Sequence, residues 1–197
     1  MARGSDARRK LLDAAIAYVA ANGISDVSLR ELAAAIGTSH RMLIHHFGSK
    51  EGLWVEVIRA VEDRQRERLA EFIPDPAHAP ADAIRAWWRH ISDPALWPNE
   101  RLFFEVYGQA LQGRPGTTGL LDGIVDDWLE PGIEFLLAQG LPLAAAQAGA
   151  RLGIAVTRGL LLDLLATGDR AAVDAAMEAY IARFTQAPDV PRARGAG

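Results

Sequence analysis

The chain has 197 residues, half of them apolar, no cysteine and a net charge of −4. That is enough length and apolar matter for one large domain or a small one joined to a larger, and the lack of cysteine excludes disulfides and thiolate metal sites. No uncharged apolar run reaches the roughly eighteen residues of a membrane span, since 152–166 is interrupted by Arg158 and Asp163, and the polar, basic start does not read as a signal peptide, so a cytoplasmic protein is expected.

Helical spacing runs through the whole chain. The first helix is predicted over 6–21, capped by Ser5 and closed by Gly23, with Leu12, Ile16 and Val19 as its apolar stripe. Arg3, Arg8, Arg9 and Lys10 precede or open it, either as a basic arm touching phosphates or as a solvated helix start. Ser28 followed by Glu31 is a capping-box spacing that opens a short second helix over 29–36. Leu32 and Ile36 share its inner face, and Ala33 lets a crossing helix come close. Gly37 stops this helix, and Thr38 and Ser39 supply oxygens to cap a third.

In the third helix Leu43 and Phe47 lie four apart and must face the second, which fixes what faces out. Arg41 and His45 point most directly away, Met42 and Ile44 flank them, and His40 sits at the N-terminal end. Such a face suits a DNA major groove, where Arg matches guanine edges and Met or Ile matches thymine methyls. Ser49 caps a fourth helix over 50–72, and Lys50 with the free backbone N–H groups there forms a phosphate clamp. A plain helical hairpin with solvated charges is the competing reading. His45 and His46, with Glu51 nearby, are not a metal set, because adjacent helical residues diverge by about 100°; no metal or cofactor is expected.

The charge distribution supports contact with nucleic acid by one end. Residues 1–50 carry seven Lys or Arg against four Asp or Glu, and residues 51–197 carry fourteen against twenty-one. An acidic body with a basic head meets DNA through the head.

Past Pro74, Pro76 and Pro80, helices are predicted over 81–91, 99–112 and 120–139, broken by Pro94, Pro98 and the flexible run GRPGTTG at 113–119, with the last kinked or interrupted at Pro131. Trp87, Trp88, Trp97 and Trp128 fall here with Phe103, Phe104 and Tyr107, and form either the wall of a ligand cavity or a packed aromatic core. The segment 143–166 is apolar nearly all round, with Gly149 and Gly153 four apart. Gly168 and Asp169 separate it from a final helix whose stripe is Val173, Met177, Tyr180, Ile181 and Phe184. This pair can form a four-helix bundle with a second copy, or close the chain's own core. Residues 186–197 read as a disordered tail.

The stretch LRELAAAIGTSHRMLIHHFGSKEGL resembles the DNA-binding signature of the tetracycline-repressor (TetR) family at Leu32, Ala33, Gly37, Leu43, His46, Phe47, Ser49, Lys50 and Leu53. The resemblance implies an all-α protein with a three-helix helix-turn-helix DNA-binding head, 1–49, and a larger helical body, 50–185, for effector binding and dimerisation. It implies that Arg30, Ser39, His40, Arg41, Met42, His46 and Lys50 lie at or near DNA. Ile44 departs from the family's usual Tyr, replacing a hydroxyl with an apolar group suited to a thymine methyl. The resemblance further implies an effector pocket, for which Trp87, Trp88, Phe103, Phe104, Tyr107 and Trp128 are the candidates. It also implies a homodimer interface made by Gly149, Gly153, Val173, Met177, Tyr180, Ile181 and Phe184.

The expected function is that of a repressor binding palindromic double-stranded DNA as a homodimer and released by a hydrophobic or aromatic small molecule. The alternatives are a dimeric DNA-binding protein without effector and a helical enzyme using the aromatic body as its active site. The enzyme reading has only His90 with Asp93 or Glu105 to draw on, at no recognisable catalytic spacing.

Overall fold

The computed structural model describes residues 2–23, 27–72 and 80–185. Among these residues there are nine α-helices, two short 3-10 turns and no strand: α1 (Ala2–Asn22), α2 (Leu29–Ala35), α3 (His40–Phe47), α4 (Lys50–Phe72), α5 (Pro80–Ile91), α6 (Trp97–Leu111), α7 (Asp126–Ala138), α8 (Leu143–Thr167) and α9 (Arg170–Thr185). None is long and apolar enough to cross a membrane. Pro74, Pro76 and the tail over 186–197 lie outside the described residues.

Local capping chemistry sets the head. α1 begins at Ala2, not Asp6, so Ser5 lies within the helix and is not its cap. Gly23 ends it in the left-handed region at φ +70°, donating to the Val19 carbonyl at 2.8 Å. The capping box at α2 is complete: Glu31 N–H donates to Ser28 Oγ at 3.2 Å, and Ser28 N–H donates to Glu31 Oε2 at 2.8 Å. Ala15, Ile16, Val19, Val27, Leu32, Leu43 and Phe47 are buried together. Each such side chain removed from water contributes about 1.5–3 kcal/mol. The same core runs on without a break through Leu53, Val57 and Ile58 of α4 and Leu102, Phe103 and Val106 of α6.

In the body the prolines act less as breaks than as starts. Pro80 opens α5, Pro94 opens a 3-10 turn (Pro94–Leu96) capped by Asp93, and Pro98 occupies the first turn of α6, where an N–H has no helical partner to lose. The predicted helix over 120–139 is shorter than expected. A 3-10 turn (Thr118–Leu121) comes first, Gly123 reverses the chain at φ +79°, and α7 starts only at Asp126. Pro131 lies inside α7 without ending it. The GRPGTTG run is pinned against α4. Thr117 is buried and donates to the Arg114 carbonyl at 2.7 Å, Arg59 donates to the Gly119 carbonyl at 2.5 Å, and Arg114 faces Glu51 at 3.4 Å.

α8 and α9 form an antiparallel pair that closes on the chain itself. Val173, Met177 and Ile181 are buried with Trp88, Ile91, Leu161 and Leu164. Gly149 and Gly153 also face inward: an added Cβ would lie 2.8 Å from Leu136 Cδ1 at the first and 3.2 Å from the Tyr180 hydroxyl at the second. Of the residues expected at a dimer interface, Val173, Met177 and Ile181 are buried within this chain, whereas Gly149, Gly153, Tyr180 and Phe184 are half-buried. Polar ties fix α5 to α9: Trp88 Nε1 donates to Asp174 at 2.7 Å, Arg170 to Ser92 Oγ at 2.6 Å, and Arg85 to Glu178 at 2.8 Å.

The outer face of the same pair is apolar and open. Ala148, Leu152, Ala155, Gly159, Leu162 and Ala166 follow one another by four and three residues along α8, all exposed, with Leu152 at 54% and Leu162 at 50%. Ala172, Ala175, Ala176 and Ala179 continue that face on α9.

Candidate nucleic-acid interface and body cavity

The turn between α2 and α3 is built to hold one angle. Thr38 N–H donates to the Ala33 carbonyl at 2.8 Å and Gly37 N–H to the Ala34 carbonyl at 3.3 Å, the paired bonds of a Schellman ending, with Gly37 at φ +70°. Ser39, not Thr38, caps α3, its Oγ accepting from Met42 N–H at 3.2 Å. Leu43 and Phe47 then lock α3 into the core.

What remains on α3 faces solvent. His40, Arg41, Met42, Ile44 and His45 are all exposed, with Met42 at 40% and Ile44 at 37%. Two large apolar side chains beside a guanidinium on a short, rigid helix are not needed by this chain's own packing. Arg30 is exposed on α2, and neither it nor Arg41 forms an ion pair among the described residues. Lys50 is half-buried at the first position of α4, where Ser49 Oγ takes the Gly52 N–H at 2.9 Å.

His46 differs from its neighbours. Its ring centroid lies 5.0 Å from that of His45 and 6.2 Å from that of Phe47, and its Nε2 is buried without a hydrogen-bond partner. It borders the outward face and is not part of it. The basic arm also divides. Arg8 pairs with Glu56 at 2.6 Å, reaches the His46 carbonyl at 3.5 Å and lies 5.2 Å over the Phe47 ring, bracing α1 to α3 and α4. Arg9 pairs with Asp6 at 3.3 Å, and the side chain of Arg3 lies outside the described residues.

A partly open cavity of about 170 Å³ lies between α4, α5, α6, α7, α8 and α9. Trp87, Phe103, Phe104 and Trp128 line it, as expected for a pocket, together with Phe135, Tyr180 and Phe184. Trp88 and Tyr107 do not. Trp88 sits in the α5–α9 core, and Tyr107 stacks on Phe103 with ring centroids 5.4 Å apart. Gly149 and Gly153 belong to the wall, where the lack of a side chain leaves room.

Three charged side chains reach this cavity: Glu62 from α4, Glu100 from α6 and Arg158 from α8. Glu62 accepts from Trp128 Nε1 at 2.8 Å and faces Arg158 at 3.7 Å. Arg158 also donates to the Ile124 carbonyl at 2.5 Å and lies 5.1 Å over the Phe103 ring. Burial pushes the Glu62 carboxyl up from its ordinary range, against the pull of Trp128 and Arg158. Burial likewise lowers the Arg158 guanidinium, against the pull of Glu62. Glu100 is pushed up to about 8, first by burial and then by the nearby Glu62. Burial also raises the Tyr180 hydroxyl. Sequence reasoning missed this trio. Only Arg158 left a signal, as a charge interrupting the apolar run over 152–166.

The enzyme candidates do not assemble. His90 hydrogen-bonds Gln65 at 2.8 Å, Asp93 caps the Pro94 turn, and Glu105 accepts from Gln109 at 3.2 Å. Among the described residues no group of three or more His, Asp or Glu is placed to hold a metal ion.

A capped helix-turn-helix, set on a helical body with a partly open cavity, is the build of a bacterial transcription regulator. A family model, bacterial regulatory proteins of the tetR family, matches residues 11–57. This match covers the DNA-binding head, from α1 into α4, and is what the chain shares with the TetR family of transcriptional regulators. The chain is 34% identical over 67 residues to the HTH-type transcriptional regulator BetI of Agrobacterium fabrum, a match spanning 34% of this chain and about a third (32%) of that relative. Its fold is similar to that of the multidrug binding protein EbrR complexed with imidazole, at TM-score 0.63 and 26% identity over 93% of this chain and 92% of the other. It is also similar to a regulator from Saccharomonospora viridis in complex with choline, at TM-score 0.66 and 23% identity over 93% and 97%.

Proposed function

We propose that this chain is a homodimeric repressor, acting in the cytoplasm, that binds palindromic operator DNA through α3 and leaves it when a small molecule enters the body cavity. The outward face of α3 carries this reading, because it exposes Arg41, Met42 and Ile44 on a rigidly capped helix whose buried side chains are Leu43 and Phe47, with His46 half-buried beside them. Arg41 reads a guanine edge, Met42 and Ile44 meet thymine methyls, and Arg30, Ser39, His40 and Lys50 position the head on phosphates. His46 supports the contact from behind α3. On this reading the division into a DNA-binding head, 1–49, and an effector and dimerisation body, 50–185, is one of roles, laid over a continuous core.

A second copy supplies the other half-site. The occupant of the open face on α8 and α9 is that copy: six positions at heptad-like spacing on α8, mostly Ala and Gly, let two helix pairs approach closely as a four-helix bundle. Two α3 helices about 34–36 Å apart then fit successive major grooves. The cavity touches Glu62 and Leu69 of α4, the helix that begins at Lys50, so a ligand that favours one setting of α4 changes that separation. Choline and imidazole in the two similar structures support a body that accepts small organic molecules.

The test is selection of binding sites from random duplex DNA at two salt concentrations. A recovered palindrome with half-sites about one helical turn apart is the expected result. Enrichment of no sequence, with only weak salt-sensitive binding, would overturn the recognition role.

A further inference from the structure

The body cavity holds a carboxyl group that the fold leaves without a hydrogen-bond partner. Glu62 is met by Trp128 and Arg158, whereas Glu100, only 6% exposed, accepts no hydrogen bond from any described residue while lining the cavity. The ionisable groups around it are Glu62 with Arg66 behind it on α4, Tyr107 on its own helix, Arg158 on α8 and Tyr180 on α9. The wall residues from α5 and α7 add none. Arg158 is already engaged by Glu62, the Ile124 carbonyl and the Phe103 ring. An anion entering here meets two carboxyl groups and a cation that is already in use. An uncharged ligand leaves Glu100 without a partner.

We propose that the cavity takes a small organic cation, an ammonium bearing an aromatic or alkyl group, whose charge is met by the Glu100 carboxylate while Trp87, Phe104 and Phe135 enclose its apolar part. This rests on the cavity being the effector site. Apolar walls exclude water, so a single charge pair counts for more than at a surface, and ring faces attract cations by their quadrupole. With no ligand bound, Glu100 keeps its proton at neutral pH. When the cation binds, the Glu100 O–H bond breaks, the carboxylate pairs with the ligand, and the proton passes to the buffer.

The experiment uses the full chain, with tryptophan fluorescence and calorimetry as readouts and three probes: benzyltrimethylammonium, its uncharged carbon isostere neopentylbenzene, and phenylacetate. The ammonium should bind in preference to both others. Its affinity should rise about tenfold per pH unit from pH 6 and level off near 8, with close to one proton released per ligand at pH 7, as linkage requires. E100Q, which keeps the uncharged shape of the empty site, should lose both the pH dependence and most of the preference over neopentylbenzene. The pH series on the unaltered protein decides the matter even if E100Q folds poorly. Equal, pH-independent binding of the ammonium and neopentylbenzene would overturn the cation inference and leave the cavity as a ligand site. Preference for phenylacetate would overturn it in favour of Arg158. Entry of none of the three would overturn both this inference and the effector reading it rests on.

Discussion

The head and the body of this protein dispose of their polar groups in opposite ways. In the head, Ser28, Glu31, Ser39 and Ser49 spend their side chains on helix ends, the core beneath α2 and α3 is apolar, and Arg30, Arg41 and Lys10 stay at the surface. In the body, Glu62, Glu100 and Arg158 are drawn inside around a cavity, where each ionised form costs desolvation. On the proposed function, the contrast follows from what each part would recognise. A duplex is read by a rigid surface, so the head needs only stiffness beneath and charge above. A small molecule is read from all sides, and the body accepts a less stable interior to provide that.

Substitutions can break this contrast, and the largest effect should come from the head's core. Leu43→Ala leaves a hole beneath α3 and should lower unfolding free energy by about 2–5 kcal/mol in urea or heat, whereas Met42→Ala on the opposite face should change it by only about 0.5 kcal/mol. In the body the effect should depend on pH. Between its ordinary value and about 8 the Glu100 carboxyl holds its proton in the folded chain but not in the unfolded one. Stability contributed this way is therefore present at low pH and lost as pH rises through that window, on the order of 5 kcal/mol in all. Glu100→Gln should remove most of that slope in unfolding curves taken from pH 5 to 9. An unchanged slope would place the titration elsewhere.

The next effects are on assembly and recognition. If two copies meet as proposed, Leu162→Glu on the open face of α8 should leave the helical signal intact but shift sedimentation to a monomer at micromolar concentration, because it puts a charge into that face. Arg41→Ala should cost about 1–3 kcal/mol of operator affinity and relax preference at one base pair per half-site, while Lys50→Ala should weaken all sites alike and flatten the salt dependence. Equal losses of sequence preference in both would end that division of labour. The smallest effect should be that of Ser39→Ala, about 1 kcal/mol of stability from one lost cap.

Both helix stripes, Leu43 with Phe47 and Val173 with Met177 and Ile181, were legible as buried, yet only the first could be given its partner. Leu43 and Phe47 lie so close to α2 along the chain that α2 must be among the helices that cover them. The α9 stripe is far from Trp88 and Ile91 in sequence, and periodicity says that a face is covered without saying by what. A second copy and the chain's own α5 look the same to a helical pattern. Trp87 and Trp88 show the same limit at the scale of one residue: they are adjacent, about 100° apart on α5, and one lines the cavity while the other packs in the core.

The sequence by itself determined the helical elements of the head, their caps and the outward side chains of α3. These depend on hydrogen bonds and spacings of three or four residues, and the chain carries those along its own length. Tertiary structure alone decided that Gly149, Gly153, Tyr180 and Phe184 border a cavity, that the exposed stripe of α8 differs from its buried one, and that Glu100 loses most of its contact with water. Burial and charge proximity belong to pairs of residues far apart in the chain, and they exist only once α4, α6 and α8 have packed together.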